Sequence, residues 1–242
     1  MFTHFRTQGF ILKKEDRGEA DRLFTFFSKD YGKLDLLARA ERKISSKLRS
    51  GLEIFYLSEI EFIQGKRQKT LTDAILMDGF PNLRKSFARL RVAYSMSEVL
   101  DKLVRGEEID LDIWNLLEEI FGKLNEKSIK FQYWYIVYYY FLWNLLSFLG
   151  YQLNLHACSL CQNKLKPGNI FFGIEDGGLV CDYCEGKTKS AMTINPDTIK
   201  ILRIFLKRDF NTLKRLKIKK EDLKQLADIS ESYLSDVLEK TQ

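Results

Sequence analysis

The chain has 242 residues, with 39 Lys plus Arg against 33 Asp plus Glu and a formal net charge of +6. That length fits two or three modest domains, and the positive balance is compatible with a nucleic-acid or anionic-membrane partner without demanding one. Met1-Phe-Thr-His-Phe-Arg6 lacks the basic-then-apolar layout of a secretory leader, which argues against export and for a reducing, cytoplasmic setting.

Residues 1–80 read as strands. Gly9-Phe-Ile-Leu-Lys13 is a short apolar run, and Arg22-Leu-Phe-Thr-Phe-Phe27 is rich in aromatics. Lys29-Asp-Tyr-Gly-Lys33 is a turn with Gly available for positive φ, and Leu34-Asp-Leu-Leu-Ala38 follows closely enough to form a hairpin. Ser58-Glu-Ile-Glu-Phe-Ile63 alternates polar and apolar; Gly65-Lys-Arg-Gln-Lys69 is a second turn, and Thr70 to Leu76 a fifth strand. Arg39 to Gly51 is long enough for a helical turn between strands three and four. This pattern fits a small Greek-key barrel of the OB type, with a two-sheet sandwich as the alternative.

The same region concentrates cations. Lys13, Lys14 and Arg17 follow the first strand, and Lys66, Arg67 and Lys69 form the last turn. Lys33, Arg39, Arg42, Lys43, Lys47 and Arg49 lie between them. With Phe24, Phe26 and Tyr31 they supply what a single-strand groove needs, because phosphates pair with cations and bases stack on rings. The competing reading makes the phenylalanines barrel core and the lysines solvated loop.

Phe80-Pro81-Asn82 marks a boundary, after which residues 81–242 read as helical. Leu83, Phe87, Leu90 and Tyr94 step by four, three and four, one face of a helix. Gly106 ends that segment, and Asp110 is an N-cap for a helix carrying Ile113, Leu116, Leu117, Ile120 and Leu124. Phe131 to Asn163 holds no Asp, Glu, Lys or Arg, and its stretch Tyr133 to Gly150 is long enough to cross a bilayer. Tyr dominates its middle, however, where a membrane helix prefers aliphatic residues, and Asn144 and Gln152 interrupt it. A helix buried in a soluble domain, with partners for its Tyr hydroxyls, is the favoured reading.

All four cysteines fall in Cys158-Ser-Leu-Cys161 and Cys181-Asp-Tyr-Cys184, a C-x2-C-x19-C-x2-C pattern. Two such pairs supply the four soft ligands of a closed tetrahedral site, most simply one structural zinc per chain. The competing readings are two disulfides or four core cysteines, and the first does not suit a reducing compartment. The insert at about 156–189 is loop and short strand, with Pro167, Gly168, Gly173, Gly177 and Gly178 as turn residues. His156 sits two residues before the first knuckle, as a polar helix-end residue or a hydrogen-bond partner of a ligand. Asn195-Pro196 opens a helix whose apolar side is Ile199, Leu202, Phe205 and Leu206, and a last helix runs from about Glu221 to Glu239. Lys200 to Lys220 holds nine basic residues and one acid, either an added binding surface or the polar face of amphipathic helices.

No phosphate loop, G-x-G-x-x-G, H-E-x-x-H or G-x-S-x-G motif is present, which points away from an enzyme. Glu107, Glu108, Asp110 and Asp112 cluster, but at a helix start rather than as a nuclease site.

Ala93-Tyr-Ser-Met-Ser-Glu-Val-Leu100, Phe141-Leu-Trp-Asn-Leu-Leu-Ser-Phe-Leu-Gly-Tyr151, the first knuckle and Phe171-Phe-Gly-Ile-Glu-Asp-Gly-Gly-Leu-Val-Cys-Asp-Tyr-Cys184 follow in order. With Gly9-Phe-Ile-Leu and Tyr31-Gly-Lys-Leu, this arrangement resembles the bacterial RecO family of recombination mediators. The resemblance implies an α+β chain: an N-terminal OB-fold, then a helical domain with an embedded four-cysteine zinc ribbon. It implies binding to single- and double-stranded DNA, strand annealing, and help in loading RecA onto DNA coated by single-strand-binding protein. RecR and the acidic tail of single-strand-binding protein are the implied partners, in the cytoplasm and at the nucleoid. Gln162 departs from the family pattern, which has Gly after the first knuckle; a strained or left-handed backbone is expected there. Apart from the resemblance, a zinc-ribbon transcription regulator is the alternative.

Overall fold

A computed structural model describes residues 3–128, 134–151, 153–166 and 168–241. Residues 129–133, Gln152 and Pro167 lie outside them; of these, 131–133 and Gln152 fall in the uncharged stretch of the sequence reading and Pro167 in one of its turns.

Five strands form the N-terminal sheet, β1 (His4–Arg17), β2 (Asp21–Ser28), β3 (Gly32–Ala38), β4 (Leu57–Gln64) and β5 (Lys69–Asp78), with burial alternating along β3 and β4 and continuous runs of buried residues in β1 and β2. They close into a barrel in the order β1-β2-β3-β5-β4. The seams are antiparallel except β3–β5, which runs parallel through only Leu36↔Lys69 and Leu37↔Thr70. This is the OB-type barrel, not the sandwich. On β3 the period of two buries Leu34, Leu36 and Ala38 and turns Asp35 outward. These residues meet Ile11, Phe24, Phe26, Ile60, Phe62 and Leu71 in the interior, each at most 3 % exposed. β1 is far longer than its apolar run. His4–Phe10 pairs with β4, Gly9–Arg17 with β2, and a register shift between Ile11 and Lys13 bends it. The connection from β3 to β4 carries a short 3-10 helix, Lys47–Gly51.

Three helices follow: α1 (Pro81–Arg84), α2 (Phe87–Leu103) and α3 (Leu111–Asn125). Asp110 caps α3 by accepting from the Ile113 N–H at 2.9 Å, and all five predicted apolar positions are buried. The α2 face differs from the expectation. Leu83 is buried on α1, but Phe87 and Tyr94 are exposed, at 93 % and 51 %. The buried stripe is Arg89, Val92, Ala93, Met96 and Leu100. The chain breaks between α1 and α2, so Leu83 does not belong to the helical register of the later residues. The outer face of β1 is covered as well: Phe10 stacks on Phe121 at 5.0 Å and meets Trp114 at 5.0 Å, a close aromatic contact in fully buried surroundings.

Contacts divide the chain into two compact units, Met1–Trp134 and Tyr135–Gln242. The second is built on α4 (Trp134–Phe148), a small sheet of β6 (Ile170–Gly173), β7 (Gly178–Cys181) and β8 (Ala191–Thr193) in the order β7-β6-β8, and α5 (Pro196–Leu206), α6 (Phe210–Arg215) and α7 (Lys220–Lys240). Asn195 caps α5, accepting from the Thr198 N–H at 2.8 Å with Pro196 at the first position. The aromatic helix is core. Tyr140, Phe141 and Trp143 are fully buried, and Trp143 stacks on Tyr233 at 5.2 Å. Its polar atoms find partners: Trp143 Nε1 donates to Ser230 Oγ at 2.9 Å, and Asn144 Nδ2 to the Tyr140 and Phe205 carbonyls. Among the described residues no helix is long and apolar enough to cross a membrane.

Candidate metal centre and nucleic-acid interface

The two knuckles converge. Cys158 and Cys161 lie on the turn before β6; Cys181 ends β7, and Cys184 lies in a 3-10 helix, Asp182–Lys187. The first turn is closed by the Gln162 N–H donating to the Cys158 carbonyl at 2.9 Å, and is tied to β7 by Ser159 N–H on the Leu179 carbonyl at 2.8 Å. Gln162 takes a left-handed φ of 60°, as the missing glycine implies. It is held there by its side-chain amide, which donates to the Ser159 carbonyl at 3.0 Å.

All four cysteines are free thiols, with their sulfur atoms within 4.8 Å of one another. The Cys161 and Cys181 sulfurs stand 3.9 Å apart, far beyond the roughly 2.05 Å of a disulfide. Burial opposes charge on Cys158, yet the backbone N–H groups of Cys161, Cys181 and Leu160 bring its thiol down to about 6. Burial and the three neighbouring sulfurs push Cys184 up to about 12. Packed against Val180, Leu165 and Phe171, four such sulfurs cannot all be anionic unaided. A cation at their centre resolves that conflict, because it holds its ligand thiols deprotonated. The donor set therefore fits one soft or borderline metal ion, with Cys158, Cys161, Cys181 and Cys184 as its ligands. His156 is exposed; its N–H donates to Asn154 Oδ1 at 3.3 Å.

The twelve barrel cations singled out from the sequence separate into two groups. Six are engaged within the chain. Lys13 and Arg17 pair with Glu15 at 2.6 and 3.2 Å, and Lys14 with Glu53 at 2.5 Å. Arg42 reaches Asp16 at 3.4 Å and the Gly18 carbonyl at 3.1 Å, and Lys69 pairs with Glu107. Lys33 spends all three ammonium protons at the end of α2, on Asp101 Oδ1 at 2.6 Å and on the Asp101 and Val104 carbonyls. The turn before it needs Gly32, whose φ is +61° and whose added Cβ would lie 2.1 Å from the Glu108 carbonyl oxygen.

Arg39, Lys43, Lys47, Arg49, Lys66 and Arg67 are exposed and have no carboxylate partner among the described residues. The first four lie on the β3–β4 connection, the last two on the β4–β5 turn. The base of the β3–β4 connection is tied to the β1–β2 turn. Ala40 N–H donates to Asp21 Oδ1 at 2.7 Å, Arg42 N–H to the Ala20 carbonyl at 3.0 Å, and Arg22 to the buried Glu41 at 3.1 Å. An open groove of about 640 Å³ is lined by Lys33, Asp35, Arg67, Lys69, Arg105 and Glu107. Arg105 was missed in the sequence; its only signal is a cation directly before the helix-ending Gly106.

The expected stacking rings are not available. Phe24 and Phe26 are fully buried, and Tyr31 packs edge-on against Phe5 and Phe62. Barrel closure needs them inside, so any strand on this surface is held through its phosphates rather than by those rings.

Residues 1–80 match the family described as recombination protein O N terminal, and residues 84–242 the one described as recombination protein O C terminal. The chain is similar to proteins named DNA repair protein RecO from several bacteria. It is 30 % identical to that of Dehalococcoides mccartyi over 236 residues, 98 % of this chain and 91 % of the relative. It is 28 % identical to the Moorella thermoacetica protein over 237 residues (98 % and 87 %) and 25 % identical to that of Desulforamulus reducens over 236 (98 % and 90 %).

Proposed function

The chain belongs to the RecO family of DNA repair proteins, and on that premise we propose that it is a recombination mediator that works by binding rather than by covalent chemistry. It binds single- and double-stranded DNA, anneals complementary strands, and helps load RecA onto DNA coated by single-strand-binding protein. The observation that carries this reading is that Arg39, Lys43, Lys47, Arg49, Lys66 and Arg67 stand exposed on one closed OB-type barrel without a carboxylate partner among the described residues. Free cations attract phosphates and release condensed counterions; paired ones must first give up a carboxylate. Holding two polyanions on a cationic surface reduces their mutual repulsion and raises their encounter rate, and base pairing then drives annealing.

In this reading residues 1–80 are the DNA-binding module. Residues 81–242 supply the helical part, of which 81–134 share one compact unit with the barrel, and about 156–189 are the insert in which one structural zinc is held by Cys158, Cys161, Cys181 and Cys184. RecR and the acidic tail of single-strand-binding protein are its protein partners, at the nucleoid in the cytoplasm.

The test is annealing of labelled complementary oligonucleotides, bare or coated with intact or tail-deleted single-strand-binding protein, without ATP. Acceleration on bare strands is expected, and on coated strands it is expected to be faster with the tail present. A strict ATP requirement, cleavage of the strands, or strong discrimination among duplex sequences would each remove the reading; the last would favour a zinc-ribbon regulator.

A further inference from the structure

We propose that the second unit carries its own polyanion-binding surface, on the segment from the end of α5 through α6 to the start of α7, and that this surface takes a second nucleic-acid strand. The inference rests on the annealing reading and adds to it the site of the other strand.

The charge distribution is the first reason. Residues 207–220 hold seven Lys or Arg and one Asp, a net +6 equal to that of the entire chain, so the rest is formally neutral. All seven cations are exposed. Lys207, Arg215, Lys217, Lys219 and Lys220 have no carboxylate within ion-pair distance among the described residues. The single acid, Asp209, caps α6, accepting from the Thr212 N–H at 2.9 Å and its hydroxyl at 2.5 Å, and acts on Arg215 only from beyond ion-pair distance. Asp222, just beyond, is buried and accepts from Asn195 Nδ2 at 2.9 Å. Glu221 is the one exposed acid directly after the run.

The second reason is shape. Phe210 and Leu213 are buried and pin α6 to the unit. The chain then runs extended, with Leu216 at φ −69°, ψ 133° and Lys219 at φ −75°, ψ 156°. At about 3.1 Å per residue in such a conformation, Lys217 and Lys219 stand about 6 Å apart, comparable with successive phosphates of a strand. A row of regularly spaced cations without an aromatic anchor suits a uniform polyanion. An acidic peptide would ask for an apolar pocket as well, and Leu216 and Ile218, the apolar residues of this stretch, are partly covered.

The test compares the wild-type chain with a variant in which Lys207, Arg215, Lys217, Lys219 and Lys220 are changed to Gln. The probes are two non-complementary oligonucleotides of different colour and, separately, a complementary pair. The wild-type chain is expected to hold both colours at once. The variant is expected to hold one, with affinity for that one within about threefold, and to anneal at least tenfold more slowly. Amine-labelling of the wild-type protein, which needs no variant, should show Lys217, Lys219 and Lys220 protected by excess oligonucleotide. A variant that holds both colours and anneals normally, or lysines that stay reactive, overturns the proposal. So does a variant that loses only its affinity for an Asp-rich peptide, which would make the surface a protein site. A wild-type chain that binds one strand and anneals normally overturns this inference alone. One that binds no DNA overturns the mediator reading as well.

Discussion

Replacing Arg39, Lys43, Lys47 and Arg49 together by Gln separates free cations from cations that are merely numerous. Each is exposed and has no carboxylate partner among the described residues, so each can contribute one phosphate contact at no cost in broken ion pairs. For a single strand each contact adds about 0.7 to the slope of log affinity against log salt, so the four together account for up to about 2.8. Between 50 and 200 mM salt the wild-type chain should then lose about 50-fold more affinity than the variant. Fluorescence anisotropy with a labelled oligonucleotide over that range measures both slopes. Arg42→Gln is the internal comparison: it lies in the same connection, but its guanidinium is held by Asp16 and the Gly18 carbonyl. It should change the slope by less than one contact. If the fourfold variant keeps the wild-type slope, or if Arg42→Gln costs as much as the whole set, the partition into free and engaged cations fails.

Elemental analysis of freshly purified, reduced protein should give one zinc per chain. Chelation should speed amide exchange in residues 156–189 far more than in the barrel, and a metal-free preparation with unaltered exchange would contradict the centre. Gly32→Ala should lower stability by about 1–3 kcal/mol, since the methyl meets the Glu108 carbonyl in a left-handed backbone. Gly18→Ala, left-handed too but with nothing within 4 Å, should cost less; equal losses in thermal denaturation would exclude the close approach as the cause. Burial raises the Glu53 carboxyl, but Lys14 and the Ile54 N–H outweigh it and hold the group below its ordinary 4.5. Its stabilisation is present above that pH and is lost as pH falls through the lower folded value, so Glu53→Gln should flatten the acid side of a stability–pH curve. An unchanged acid side would mean that the pair contributes nothing.

Elements whose signal is local were readable from the residues alone. Strand alternation in β3 and β4, the Asp110 and Asn195 caps and the paired knuckles all depend on neighbours a few positions apart. What the sequence concealed depends on distant partners. Lys33 looks like a surface cation until α2, some seventy residues on, brings the Asp101 and Val104 carbonyls to it. Phe24 and Phe26 look like a stacking platform until the barrel closes around them. The buried face of α2 is not the one its Leu and aromatic spacing picks out, because the stripe that packs begins at the polar Arg89 and includes the small Ala93. Lys13 to Arg17 carries no apolar run, and it joins β1 only because β2 pairs with it residue by residue.

The seams of the barrel are unequal in a way that bears on how it moves. β1–β2 and β4–β5 are each zipped through eight residue pairs, whereas β3 meets β5 through two. Opening that short parallel seam breaks few ladder bonds, so it is the first edge to part when the barrel breathes. The β4–β5 hairpin, with Lys66 and Arg67 at its tip, stays anchored on its other side by the seven-pair ladder between β1 and β4, so such parting is confined to the end of the hairpin next to that tip, where Lys69 and Thr70 meet β3.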